Sequence, residues 1–99
     1  MNQQNKKKKI NIKLDEKVGE GVYSNMAVIS FSQAEFIMDF GRILPGLKSG
    51  KILSRVISTP QKAKQLLMIL EKNIENYEKK YGSIKVSKDN DKQIGFKNE

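Results

Sequence analysis

Six basic side chains, Arg42, Lys48, Lys51, Arg55, Lys62 and Lys64, occupy a stretch, Phe40 to Leu70, that contains no acidic residue. Unopposed positive charge of this kind suits the phosphates of a nucleic acid, and it also suits an acidic protein surface. Read as a strand, Lys51–Ser58 places Lys51, Leu53, Arg55 and Ile57 on one face, with Lys48 approaching from the preceding loop. A mixed basic and apolar face is what a sheet offers to single-stranded nucleic acid or to a protein groove. The alternative is that Lys48 and Lys51 blunt a sheet edge while Arg55 pairs with Asp39 or Glu35 on a neighbouring strand. Lys62, near the flank of a helix's apolar stripe, and Lys64, on its outward face, divide between the same two roles, and a solvated helix face is the simpler one.

Catalytic chemistry has little to work with. The chain contains neither histidine nor cysteine, which excludes Ser-His and Cys-His nucleophile arrangements, His-ligated zinc, thiolate metal sites and disulfides. Asp39 and Glu35 are the nearest thing to a carboxylate pair, but nothing stands beside them to complete a site. Gly19-Glu20-Gly21 lacks the rest of a nucleotide fingerprint and reads as a hairpin turn. No enzyme, cofactor or metal is expected.

The elements that must carry the basic groups follow from periodicity. Ile10, Ile12 and Leu14 alternate with Asn11 and Lys13, predicting a strand that turns at Asp15–Gly21 into a second strand, Val22–Phe31, with apolar groups on both faces. Ser32-Gln33-Ala34-Glu35 matches a capping box and could open a helix through Phe36, Phe40, Ile43 and Leu44; the alternation of Phe36, Met38 and Phe40 favours a strand instead. Leu44-Pro45-Gly46 breaks the chain before the β-branched run Lys51–Ser58. Thr59 and Pro60 then form a helix start, and Ala63, Leu66, Leu67, Leu70, Ile74, Tyr77 and Tyr81 make one apolar stripe that Gly82 ends. At about 33 Å against about 26 Å for an eight-residue strand, this helix overhangs its sheet and leaves an apolar end to be covered.

Three residues stand apart from these patterns. Tyr23 and Phe31 bracket the second strand and could stack on bases, although core or dimer contacts are the simpler role. Asn25 falls on a face that otherwise looks buried, and a turn or bulge explains it more simply than ligand recognition does.

The net charge of +8 divides unevenly: +4 over residues 1–9, +4 over 10–85 and zero over 86–99. Lys6, Lys7, Lys8 and Lys9 therefore read as a flexible basic arm, 10–86 as a single domain and 87–99 as a disordered polar tail. No apolar run approaches a membrane span, and no signal-peptide core follows the lysines, so a cytoplasmic protein is expected. A domain this small has a marginal core, and self-association is the obvious remaining stabiliser.

In order and spacing, INIKLDE, EGVYSN, EFIMDF, LPG, SRVISTPQKAKQLL and NIENYEKKYGSI resemble a small bacterial family defined only as a domain of unknown function, over Ile10 to Ile84. The resemblance implies a short, β-rich cytoplasmic protein, encoded beside the large RNA polymerase subunits in some bacteria, and supplies no catalytic residues.

The expectation is thus an α+β fold: an antiparallel meander of about four strands, one face covered by the long C-terminal helix Pro60–Tyr81, dimerising through exposed apolar surface. Functionally it is read as a non-catalytic, nucleic-acid- or transcription-associated accessory protein. Lys48, Lys51, Arg55 and Arg42 form the main surface, and Lys6–Lys9 the mobile arm. DNA, RNA and RNA polymerase are the candidate partners. The competing reading is a protein-interaction module docking on RNA polymerase or another large assembly without touching nucleic acid.

Overall fold

The computed structural model describes residues 9–46, 48–87 and 96–98. Its centre is a three-stranded antiparallel sheet in the order β3-β2-β1, formed by β1 (Met26–Phe31), β2 (Phe36–Ile43) and β3 (Gly50–Ser58). A helical turn, α1 (Glu16–Gly19), precedes the sheet and a 22-residue helix, α2 (Pro60–Tyr81), follows it. A three-residue strand, β4 (Phe96–Asn98), runs parallel to β1 along its other edge. The tail expectation otherwise falls on 88–95 and 99, and that for the arm on 1–8, outside the described residues.

The β1–β2 connection resolves the competing readings of residues 35–44 in favour of strand. Ser32 Oγ accepts from the backbone N–H groups of Ala34 and Glu35, as an N-cap would, but Ser32 N–H also donates to the Glu35 carbonyl at 2.9 Å and closes a hairpin. The same hydroxyl chemistry serves either a helix start or a turn. What decides is the alternation beyond it, which lets β2 pair on both sides, Phe36 with Phe31 and with Ser58.

The expected N-terminal hairpin is corrected. Residues 10–15 form no strand: Ile10, Ile12 and Leu14 are exposed and the chain enters α1 directly, with Gly19 N–H bonded to the Asp15 carbonyl. Alternation over three apolar residues defines a strand only where a neighbour supplies its ladder, and the Asp15–Gly21 segment curls into a helical turn instead of a hairpin. Correspondingly, β1 begins at Met26 rather than Val22, so the antiparallel meander has three strands.

Nor does α2 cover the sheet. It contains no buried residue, and Leu66, Leu67, Leu70, Ile74, Tyr77 and Tyr81 are all 40–66% exposed. Its ends are as the sequence dictates. Thr59 Oγ1 accepts from Lys62 N–H, Pro60 occupies the first turn, and Gly82 at φ 102° closes the C-terminus. The connection is the reason it stands off: Ser58 ends β3, Thr59 caps, and Pro60 is already helical. One residue is too little chain to reverse direction, because connections that fold an element back run about 2–6 residues. The buried apolar core accordingly reduces to Ala27 and Met38 among the described residues.

Candidate nucleic-acid interface

The register decides which side chains share a face. Directly opposed residues of an antiparallel pair project to the same side, and β2 and β3 pair Arg42 with Lys51, Phe40 with Ser54 and Met38 with Val56 on one side. On the other side Asp39 pairs with Arg55 and Ile37 with Ile57. Between these runs the register shifts, since Phe40 opposes Ser54 while Gly41 opposes Ile52, leaving Leu53 as the extra residue of a β-bulge. Gly41 is the residue that permits it. A Cβ there would collide with the Lys51 carbonyl oxygen and lie 2.9 Å from Ile52 Cα.

The bulge corrects the assignment of Lys51 and Arg55 to one face. Strict alternation puts them together, but the inserted residue reverses the phase, so Lys51 projects with Arg42 and Arg55 projects on the opposite side. Ile57, paired with Ile37, is separated from Lys51 in the same way, and Leu53 has no partner across the sheet. A glycine inside an otherwise β-branched and aromatic strand is the signal that could have located the bulge.

On the Arg42 face two cations meet across the strands. Arg42 and Lys51 are both exposed, neither has an ion-pair partner among the described residues, and the Arg42 guanidinium carbon lies 5.8 Å from the centroid of the Tyr23 ring. Like charges directly opposed destabilise a sheet unless an anion joins them. Lys48 lies in the loop that leads into β3 and is exposed. From this basic end an aromatic row runs along the same face, with Phe40 and Phe36 half-buried on β2 and exposed Phe31 on β1. The Phe31 and Phe36 rings stack at 5.5 Å.

The other face has already neutralised its cation. Arg55 Nε and Nη2 donate to Asp39 Oδ1 and Oδ2 at 2.7 and 2.9 Å, a bidentate pair. These hydrogen bonds hold the Asp39 carboxyl below its ordinary value, against the opposing effect of burial and with added help from the Arg55 charge, while the guanidinium's value is raised. Arg55 is thus structurally committed, as the alternative reading of the sequence had it. Lys62 and Lys64 sit exposed on the first turns of α2, Lys9 is exposed before α1, and Lys6–Lys8 lie outside the described residues.

Asn25 has a structural role. Its amide donates to the Ile43 carbonyl and accepts from Ile43 N–H at 3.0 and 2.9 Å, while Asn25 N–H bonds the Gly41 carbonyl. The side chain extends the β1–β2 ladder by one step and fixes the end of β2 that carries Arg42. No group of histidine, cysteine, aspartate or glutamate able to hold a metal ion occurs among the described residues, and no helix is long and apolar enough to cross a membrane.

Residues 1–86 match the model of a family described as protein of unknown function (DUF3467). No curated protein and no solved structure matches the chain.

Proposed function

From the chain's membership of the DUF3467 family, whose description leaves the activity open, we propose that this protein is a non-catalytic accessory protein that binds nucleic acid through the Arg42 face of its sheet. The observation that carries the reading is the cross-strand pair Arg42–Lys51, two exposed cations set opposite one another with no acid between them. A phosphate bridging both would convert a repulsion into two charge-assisted contacts. Lys48, from the adjoining loop, and the Lys6–Lys9 arm would add to the field, and the aromatic row offers bases a surface to stack on. Arg55 contributes through Asp39 to the sheet rather than to phosphate. The protein acts as a homodimer in this reading, which doubles the charge presented to one polyanion.

Fluorescence anisotropy with labelled single-stranded DNA, duplex DNA and RNA across a salt series tests this. The expected result is binding at about 50 mM salt that weakens log-linearly as salt rises, with the single strands preferred. No binding under those conditions contradicts it.

A second reading draws on the opposite face, where Ile52 and Ile57 are half exposed beside the Asp39–Arg55 pair. Here the domain docks on a large assembly such as RNA polymerase, in the cytoplasm, by protein contact alone. Nuclease treatment of native complexes separates the two, releasing a nucleic-acid binder and leaving a protein-docked subunit attached.

A further inference from the structure

The apolar positions of α2 that lie on one line are Ala63, Leu67, Leu70, Ile74, Tyr77 and Tyr81, at successive spacings of four, three, four, three and four residues. That is an unbroken heptad seam, the pattern that packs one helix against another rather than against a sheet. The seam has no occupant among the described residues of its own chain, since α2 buries no residue, and the one-residue link at Thr59 denies it the turn that would bring it back over the strands. Along it Leu67, Leu70, Ile74, Tyr77 and Tyr81 are all 40–66% exposed, a continuous apolar line of the length that a second helix of the same kind would cover.

We propose that the occupant is α2 of a second copy, packed antiparallel about a twofold axis near Lys72, so that Ala63 faces Tyr81 of the partner subunit, Leu67 faces Tyr77 of the partner subunit and Leu70 faces Ile74 of the partner subunit. Size selects this direction. An antiparallel pair sets the smallest seam residue against one of the two largest, whereas a parallel pair sets Ala63 against its own copy and stacks two layers of tyrosine against tyrosine, leaving a gap at one end and crowding at the other. Charge agrees. The seam is flanked on one side by Lys64, Glu71 and Glu78, and in the antiparallel register Lys64 lies beside Glu78 of the partner subunit at both ends, with Glu71 against its own copy at the axis. Antiparallel macrodipoles also attract. The Tyr77 and Tyr81 rings, 5.0 Å apart, already form one contiguous apolar surface for the shorter residues of the other helix. Each sheet then stands at an opposite end of the helix pair, which leaves both Arg42 faces clear of the contact. The inference rests on the dimeric reading given under the proposed function and adds its surface and register.

The test uses the full chain, whose lack of cysteine makes introduced thiols unambiguous. Light scattering at about 100 µM should give twice the chain mass, and Leu70→Glu should weaken the dimer by about a hundredfold or more with the helical circular dichroism of the monomer retained. Independently of that variant's folding, Ala63→Cys/Tyr81→Cys should cross-link into dimers on mild oxidation while Ala63→Cys alone stays monomeric on a denaturing gel. A monomer at that concentration overturns the dimeric reading and this interface together. A dimer that survives Leu70→Glu, or one that cross-links through Ala63→Cys alone, overturns this interface and leaves the dimer standing.

Discussion

Arg42 and Arg55 stand on neighbouring strands of one small sheet, and their surroundings are opposite. Arg55 is held by both oxygens of a partly buried carboxylate; Arg42 faces a lysine and leans over a tyrosine ring. The same side chain is a structural element in one place and, among the described residues, a cation without an ion-pair partner in the other; strand alternation puts the two on opposite faces, and a single inserted residue gives Arg42 its basic neighbour. Without the bulge at Leu53, Lys51 would project on the same face as the Asp39–Arg55 pair, and Arg42 would lose its basic neighbour. A charge count along the chain cannot see this, because the count is blind to which face each cation takes.

The largest expected effect comes from attacking the device that sets Lys51 opposite Arg42. Gly41→Val drives a side chain into backbone atoms of Lys51 and Ile52 that have nowhere to go, and should destabilise the fold by about 3 kcal/mol in urea unfolding. An unchanged midpoint would mean that the bulge is not a fixed feature. Next is the pair of charge reversals. Arg42→Glu/Lys51→Glu should reduce nucleic-acid affinity by about a hundredfold at low salt, since two phosphate contacts become two repulsions, with the urea midpoint hardly moved.

Thr59→Ala removes the hydroxyl that caps α2 through Lys62 N–H and touches neither arginine. It should lower stability by about 1 kcal/mol and leave nucleic-acid binding as it was. Acid gives the gentlest discrimination. Because Asp39 is held below its ordinary value of 3.8, the unfolded chain takes up a proton there before the folded one does. The pair's contribution is therefore complete above about pH 5 and is lost as pH falls through and below the ordinary carboxylate range. Asp39→Asn should flatten that acid limb of the stability profile, and an equally steep limb in the variant would assign it to other carboxylates.

How much of this was legible in the sequence varied with how local the determining physics is. Helix α2 is specified by Thr59, Pro60, its stripe and Gly82, all within one continuous segment, and it forms where those residues place it. The strands β2 and β3 were readable from alternation and β-branched content, and the Asp39–Arg55 pair was among the readings weighed for Arg55. Residues 10–15 misled because three alternating apolar residues satisfy the strand period without saying whether any edge is available to receive them. The position of α2 was missed for a similar reason: its stripe announces burial, but the direction in which it leaves β3 depends on the one-residue link at Thr59. The separation of Lys51 from Arg55 hung on Gly41, a residue whose role appears only when the opposing strand is in place. Tyr23 reads from the sequence as a stacking platform or, more simply, a packing contact, and its ring packs against the Arg42 guanidinium, a contact that strand periodicity does not announce.

The most direct test of the central claim, that Arg42 faces phosphate while Arg55 serves the sheet, is the salt dependence of single-strand binding in Arg42→Gln and Arg55→Gln, each compared with the parent chain. The slope of log affinity against log salt should become shallower by about 1 for Arg42→Gln, the loss of one phosphate contact, and stay at the parent value for Arg55→Gln. Equal losses in both variants, or a change in Arg55→Gln alone, would contradict it.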